Sequence, residues 1–295
     1  MDQFTQALIN GIMLGGFYAV MVLGFSIIWG VMGVINLAHG EFVMVGAYLT
    51  WYIHKQFGWE PFATILVVLV IMFGAGYILQ RILINRIIER PYLISLLVTF
   101  GLAIIISNSF KLIFTATPRT VDTMFSGFWR FGNVTVPITR SLIMAAALII
   151  MTLLYLFLHY TKLGKSIRAA AQNREAARIV GIEIGSVYAL TFAIAIALTG
   201  AAGTLISPIQ PVYPFMGSAL TLKAFAITAL AGLGSIPGAL FGGIFLGLIE
   251  VLIATFVPGV GTNLGIVSSY IILVIVLVVR PQGLFGGVQA AREVH

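Results

Sequence analysis

Long stretches of the chain carry no charged side chain. Gln3 to Ala38, Pro61 to Gln80, Tyr92 to Phe110, Ser141 to Leu158, Ile184 to Leu222, Ala224 to Ile249 and Val251 to Val279 are each uncharged. Within them apolar residues follow one another without the every-second-residue alternation of a half-buried strand. About 20 apolar residues cross the hydrocarbon core of a bilayer as a helix. Unpaired backbone is so costly in lipid that such runs must close their own hydrogen bonds. The pattern predicts an all-α, polytopic transmembrane bundle with helices near 5–31, 36–54, 62–84, 92–114, 138–160, 184–207, 220–235, 238–257 and 262–280. The segments 36–54 and 220–235 are short or interrupted, which leaves a re-entrant path open for both. The expected count is therefore eight or nine helices in one transmembrane domain spanning 1–295.

Composition removes the soluble alternative. Hydrophobic residues make up 60% of the 295 and charged residues 8%, with a mean hydropathy of +1.09. A soluble domain carries about 25% charged residues to hold its surface in water. Cysteine is absent, which excludes disulfides and thiolate metal sites. The start, Met1-Asp2-Gln3, is acidic, and the apolar run after it is too long for a cleaved signal.

The net charge of +7 belongs to loops, where cytoplasmic Lys and Arg orient a membrane protein. His159 to Glu183 holds Lys162, Lys165, Arg168, Arg174 and Arg178; Arg81, Arg86 and Arg90 share an earlier loop; Arg280 and Arg292 stand in the tail. These three segments are expected on the cytoplasmic side. The loop from Lys111 to Arg140 is then external, although it too is basic, because the parity of the crossings leaves no other place for it.

Leu163 to Ile182 reads LGKSIRAAAQNREAARIVGI. Its alanines and long charged side chains favour helix, Glu175 is placed to pair with Arg178 one turn on, and Gly164 and Gly181 bracket the segment. One helix over about 163–182 is expected. It reads either as a charge anchor for topology or as a docking surface, with Ala169, Ala170, Ala176 and Ala177 permitting close approach and Arg168 and Arg174 supplying charge.

This segment resembles the cytoplasmic coupling loop of ABC-importer permeases. VINLAHGEFVMVG (34–46), KAFAITALAGLGSIPGALFGGIFLGLIE (223–250) and the tail RPQGLFG (280–286) resemble the branched-chain amino-acid permease family, in its LivH-like branch, the shorter of two paired permeases. The resemblance runs from about residue 10 to residue 286. It implies ATPase contacts at Gly164, Arg168, Ala169, Asn173, Arg174, Ala177 and Gly181. It also implies a second, LivM-like permease, two LivG/LivF-like ATPase subunits, an amino-acid binding protein that is periplasmic or lipid-anchored, and a bacterial or archaeal inner membrane. No cofactor is expected on this chain, since it has no Walker motif; ATP and magnesium would sit on the partner ATPases.

Several polar or irregular positions are candidates for the pathway. Asn36, His39 and Glu41 stand in apolar sequence, where ionisable groups usually face a cavity or one another. The plainer reading places them at the cytoplasmic interface, among headgroups. Gly232, Gly234 and Ser235 belong to a Gly-rich segment that is either a tight hairpin or a substrate-lining kink. Tyr213 and Pro214 lie in a proline-rich interruption, either an external turn or a broken helix offering backbone groups to an amino acid. Lys223 is expected to snorkel to an interface, and Glu250 to pair with a partner subunit. Gly11 and Gly15, Gly238 and Gly242, and Gly243 and Gly247 have the four-residue spacing of close helix packing. No catalytic or metal constellation is present. A self-sufficient secondary transporter or channel, and a permease for urea or amides, remain the rival functions.

Overall fold

The computed structural model describes residues 2–232, 234–257, 259, 261–279 and 283. The basic tail at Arg280 and Arg292, and most of RPQGLFG, lie outside the described residues. Eleven α-helices are present among them: α1 (Asp2–Met32), α2 (His39–Phe57), α3 (Ile65–Ile82), α4 (Tyr92–Phe114), α5 (Ile138–Tyr160), α6 (Lys162–Gln172), α7 (Arg174–Ile179), α8 (Ile184–Ile206), α9 (Met216–Ala231), α10 (Ile236–Phe256) and α11 (Gly261–Val279). Nine correspond to the expected membrane helices. The other two replace the single helix expected over 163–182, so the total is one more than the nine membrane helices and one cytoplasmic helix foreseen.

Among the described residues, six helical segments are long and apolar enough to cross a membrane. Burial sorts them into two layers. The apolar windows of α1 and α8 are 83% and 89% buried, whereas those of α3, α4, α5 and α10 are 22%, 17%, 22% and 28% buried. The first pair forms the centre, and the others turn apolar faces outward, as lipid permits. A helix apolar all round, such as α1, is stable at such a centre or in lipid.

The centre is close-packed through glycine. Gly11, Gly15, Gly243 and Gly247 bring α1 and α10 into backbone contact: a methyl group at Gly11 would come within 2.8 Å of the Leu248 Cα, and one at Gly247 within 2.5 Å of the Gly15 amide nitrogen. The small-residue spacing thus serves packing within the chain, as it does in other membrane helix pairs. Gly242 faces Ile227 of α9, while Gly238 packs into the turn before α10.

A two-stranded antiparallel hairpin, β1 (Phe128–Phe131) and β2 (Val134–Pro137), lies in the loop before α5. Gly132, at φ +62°, and Asn133 form its two-residue turn, a composition that favours the left-handed backbone such turns need. Asn133 also reaches Asp2, and Thr135 binds Gln6, so the hairpin caps the α1 start. The bundle has a basic end, with Arg81, Arg86, α6 and α7, and an opposite end, with the α1 start and this hairpin.

Candidate functional site

Two membrane helices start in the interior of the bundle. After α1 ends at Met32, residues 33–38 fold back along it, and α2 begins at His39. The His39 ring Nε2 lies 2.8 Å from the Met21 carbonyl oxygen, eleven residues before the α1 end. At 1.5 Å per residue that is about 16 Å of depth. The start of α9 is at a similar level, because Gly217 lies against Glu41 and Phe225 packs edge-on to Phe25 at 6.0 Å. So the N-terminal ends of α2 and α9 meet well inside the bundle.

Irregular backbone is tolerated there only because neighbouring side chains satisfy it. The Thr99 hydroxyl of α4 accepts from the Leu37 amide at 3.1 Å and bonds the Ile35 carbonyl. Thr221 of α9 accepts from the Gly40 amide at 2.8 Å, and the Asn36 side-chain oxygen accepts from Ala38. Glycine makes the crossing possible: a methyl at Gly40 would collide with the Gly217 carbonyl oxygen and come within 2.6 Å of the Thr221 nitrogen.

Asn36, His39 and Glu41 are accordingly buried, at 1%, 0% and 2% exposure. The expectation that they lie among headgroups is wrong. Their charge and polarity mimic an interface, but the returning loop carries them inward. The Glu41 carboxylate is at the start of α9, where partial positive charge favours an anion, and Ser107 of α4 faces it. Three polar atoms here have no hydrogen-bond partner among the described residues: Asn36 Nδ2, His39 Nδ1 and Glu41 Oε2.

A second polar cluster is fully paired. Lys223 Nζ lies 2.8 and 2.9 Å from the two Glu250 oxygens and donates to the Tyr18 hydroxyl at 2.6 Å. That hydroxyl donates onward to Glu250 at 2.7 Å. The triad ties α1, α9 and α10 together. Lys223 therefore does not snorkel, being only 7% exposed, and Glu250 finds its partner within the chain instead of in another subunit. The sequence places these two residues 27 apart and gives no sign of their pairing; the α9–α10 hairpin brings them together.

The remaining candidates lie at the two ends. Gly232 and Gly234 adopt φ values of +90° and +82°, Ser235 caps α10 by accepting from the Gly238 amide at 3.0 Å, and Pro237 follows at the first turn. This is the tight hairpin reading, at the basic end beside Gly30. Tyr213 and Pro214 lie in the opposite-end loop, where Val212 bridges Arg119 through backbone bonds of 2.8 and 2.9 Å. The external-turn reading fits this geometry. The structure does not gather Tyr213, Gly232 and Glu250 around one point.

At the basic end the chain makes an elbow instead of one helix. Thr161 caps α6 by accepting from the Gly164 amide at 2.9 Å. Asn173 ends α6 in extended backbone and caps α7 by accepting from Glu175 and Ala176, a role that suits asparagine. Gly181, at φ +86°, closes α7, with Ile182 donating back to Ala177 in the pattern of a glycine helix stop. Gly164, Ala170 and Ala177 are buried, so their small size serves packing on the chain's own bundle and not an outer surface. Arg178 turns to Glu89 at 3.7 Å and not to Glu175. Arg168, Asn173 and Arg174 are exposed and Ala169 is partly so; Ile179 and Val180, missed in the sequence, are exposed beside them at 85% and 74%.

Comparison with known proteins agrees with this architecture. The family model described as branched-chain amino acid transport system, permease component, matches residues 7–279. The chain is 32% identical over 297 aligned positions to the high-affinity branched-chain amino acid transport system permease protein LivH of Escherichia coli, covering 96% of each. It is 30% identical to BraD of Pseudomonas aeruginosa at the same coverage, and 27% identical to a probable LivH of Methanocaldococcus jannaschii, covering 90% and 88%. In fold it is similar to the solved structure of PsaBC from Streptococcus pneumoniae in complex with Fab, with a TM-score of 0.50, 12% identity, and coverage of 96% and 93%. An apolar helical bundle with two internal helix starts and a capped basic elbow, matched by these relatives along nearly its whole length, belongs to the branched-chain amino-acid permease family of ABC transporters.

Proposed function

We propose that this chain forms one half of the membrane path of an ATP-driven importer for leucine, isoleucine, valine or related amino acids. Its basic end faces the cytoplasm, as the orienting effect of Lys and Arg requires. A second permease completes the path, two ATPases dock on the basic elbow, and a binding protein delivers the amino acid at the opposite end. The membrane is the inner membrane of a bacterium or archaeon. The chain moves its cargo without chemical change, and ATP and magnesium are held by the partner subunits.

The observation that carries this reading is the elbow of α6 and α7. It presents Arg174, Ile179 and Val180 outward while two caps and the buried Gly164, Ile167, Ala170 and Ala177 hold it to the bundle. A helix pair so anchored transmits a push instead of absorbing it. α8 follows directly, and its Gly200 and Gly203 pack against the α2 backbone at Gly46 and Ala47. Closure of the ATPases would tilt the elbow, α8 would carry α2, and the junction of α2 with α9 would rearrange. The loose polar atoms at Asn36, His39 and Glu41 are groups that such a rearrangement can satisfy.

The test is copurification of the tagged chain expressed with its partners, followed by reconstitution. The expected result is recovery of a second permease and two ATPases, with ATP-dependent amino-acid uptake. Ile179→Asp with Arg174→Glu should release the ATPases while the two permeases stay together. A stable complex without ATPase that still moves amino acids in vesicles would overturn the reading and favour a secondary transporter.

A further inference from the structure

The end of the bundle opposite the elbow carries an open cavity of about 790 Å³, between the α1 start, the loop before β1, the first turn of α5 and the segment after α8. We propose that this cavity is a recognition site for the zwitterionic head of a free α-amino acid, with Arg140 receiving the carboxylate and Asp122 together with Asn10 receiving the ammonium. The proposal rests on the importer reading above and adds to it a site on the membrane chain itself.

The first observation is the state of Arg140. It stands in the first turn of α5 and is half-buried, yet its guanidinium makes no hydrogen bond or ion pair among the described residues. A cation at a helix start is disfavoured by the helix dipole, and burial raises that cost. No side chain caps this helix start, where Pro137 precedes the first turn. The Ile138 amide at this helix start is already bonded to the Gly127 carbonyl at 3.0 Å, so the unpaired guanidinium is the group left to receive a carboxylate, which it grips through two parallel bonds.

The second observation lies on the other side of the same cavity. The Asn10 side-chain oxygen is buried and accepts from nothing, and Asp122 makes no ion pair with Arg140 although both line the space. Two acceptors held apart from one cation match the separated charges of a zwitterion. A simple anion would leave the buried Asn10 oxygen unanswered, and a simple amine would leave Arg140 so. Val121, Pro208 and Ile209 are among the apolar lining residues and give a branched apolar side chain a surface to bury. The volume falls in the range of about 300–1,000 Å³ usual for small-molecule sites.

The absence of native cysteine makes the test direct. Ser126→Cys places one thiol in the cavity lining, and a membrane-impermeant thiol reagent reads its accessibility in the assembled importer, reconstituted without binding protein. With leucine at ten times its Kd, labelling should slow about tenfold, since only about a tenth of the sites stay free. Leucinamide, which lacks the carboxylate, and the corresponding 2-keto acid, which lacks the ammonium, should not slow it. Arg140→Gln should abolish protection, Asp122→Asn should weaken it, and Arg140→Lys should retain part of it. The comparison of ligands needs no variant at Arg140, so a folding defect there does not spoil it. An unchanged labelling rate in an assembly that still imports leucine would overturn the site while leaving the importer reading intact. Protection by the loaded binding protein but not by free leucine would also overturn it, and would mark the cavity as a docking contact. Failure of the wild-type assembly to import any amino acid would instead sink the importer reading.

Discussion

Two polar clusters cross the middle of this bundle, and they are finished to different degrees. Tyr18, Lys223 and Glu250 satisfy one another through four short contacts. Asn36, His39 and Glu41 leave one polar atom each without a partner. The first cluster behaves as a staple. It holds α9 against α1 and α10, and any departure strands a charge in a low-dielectric interior. The second behaves as a junction. Its threonine bonds fix the loop, but its three loose atoms mean this arrangement does not minimise the polar cost. The difference separates the part of α9 that must stay in place from the part free to take another arrangement, and both parts lie on one sixteen-residue helix.

The contrast is open to attack, and the most severe test is at the staple. Lys223→Met alone leaves Glu250 buried and uncompensated, which should cost about 3–5 kcal/mol, while joining it with Glu250→Met should recover most of that loss. Thermal unfolding of the detergent-solubilised permease reads both; a double variant no better than the single would show that the pair is not a closed unit. Next in size is the crossing of the half-helices. Gly217→Ala drives a methyl into the Glu41 carboxylate, and overpacking of this kind costs about 1–3 kcal/mol. Uptake should fall along with stability, and a neutral result would mean that the two helix starts are not tightly coupled. The smallest stability change belongs to Glu41→Gln, which keeps the side chain's size and replaces one oxygen at the α9 start, worth about 1 kcal/mol or less. Its uptake, measured as ATP-dependent accumulation in vesicles, should fall by more than its unfolding temperature implies. If Glu41→Gln destabilises as much as Lys223→Met, the distinction between staple and junction fails.

Much of the architecture was legible without coordinates, and for one reason. A bilayer makes hydrophobicity and helicity the same signal, so the ends predicted for 92–114 and 138–160 coincide with α4 and α5. The polar residues were harder to place. A charge beside an apolar run ordinarily marks a membrane surface, and that rule misplaced His39, Glu41 and Lys223, because each has a partner supplied by a distant helix. Asn173 carried a visible cap preference, yet it sits within a run of strong helix formers that concealed the break. Gly132 and Asn133 were a turn signal for the hairpin in a loop read only for its charge.

What the amino-acid order determined on its own was the solvent, the apolar segments that become membrane helices, the glycine-spaced faces and the basic segment at 162–178, since each depends on local composition or on the helical repeat. Only the tertiary structure decided which helices lie at the centre, how deep α2 and α9 begin, and which charges meet. Those outcomes depend on contacts between residues far apart in the chain: Tyr18 is bonded to Glu250, and Gly40 to Thr221. No local pattern encodes such a pairing, because its free energy exists only once the packed bundle has excluded both water and lipid from the site.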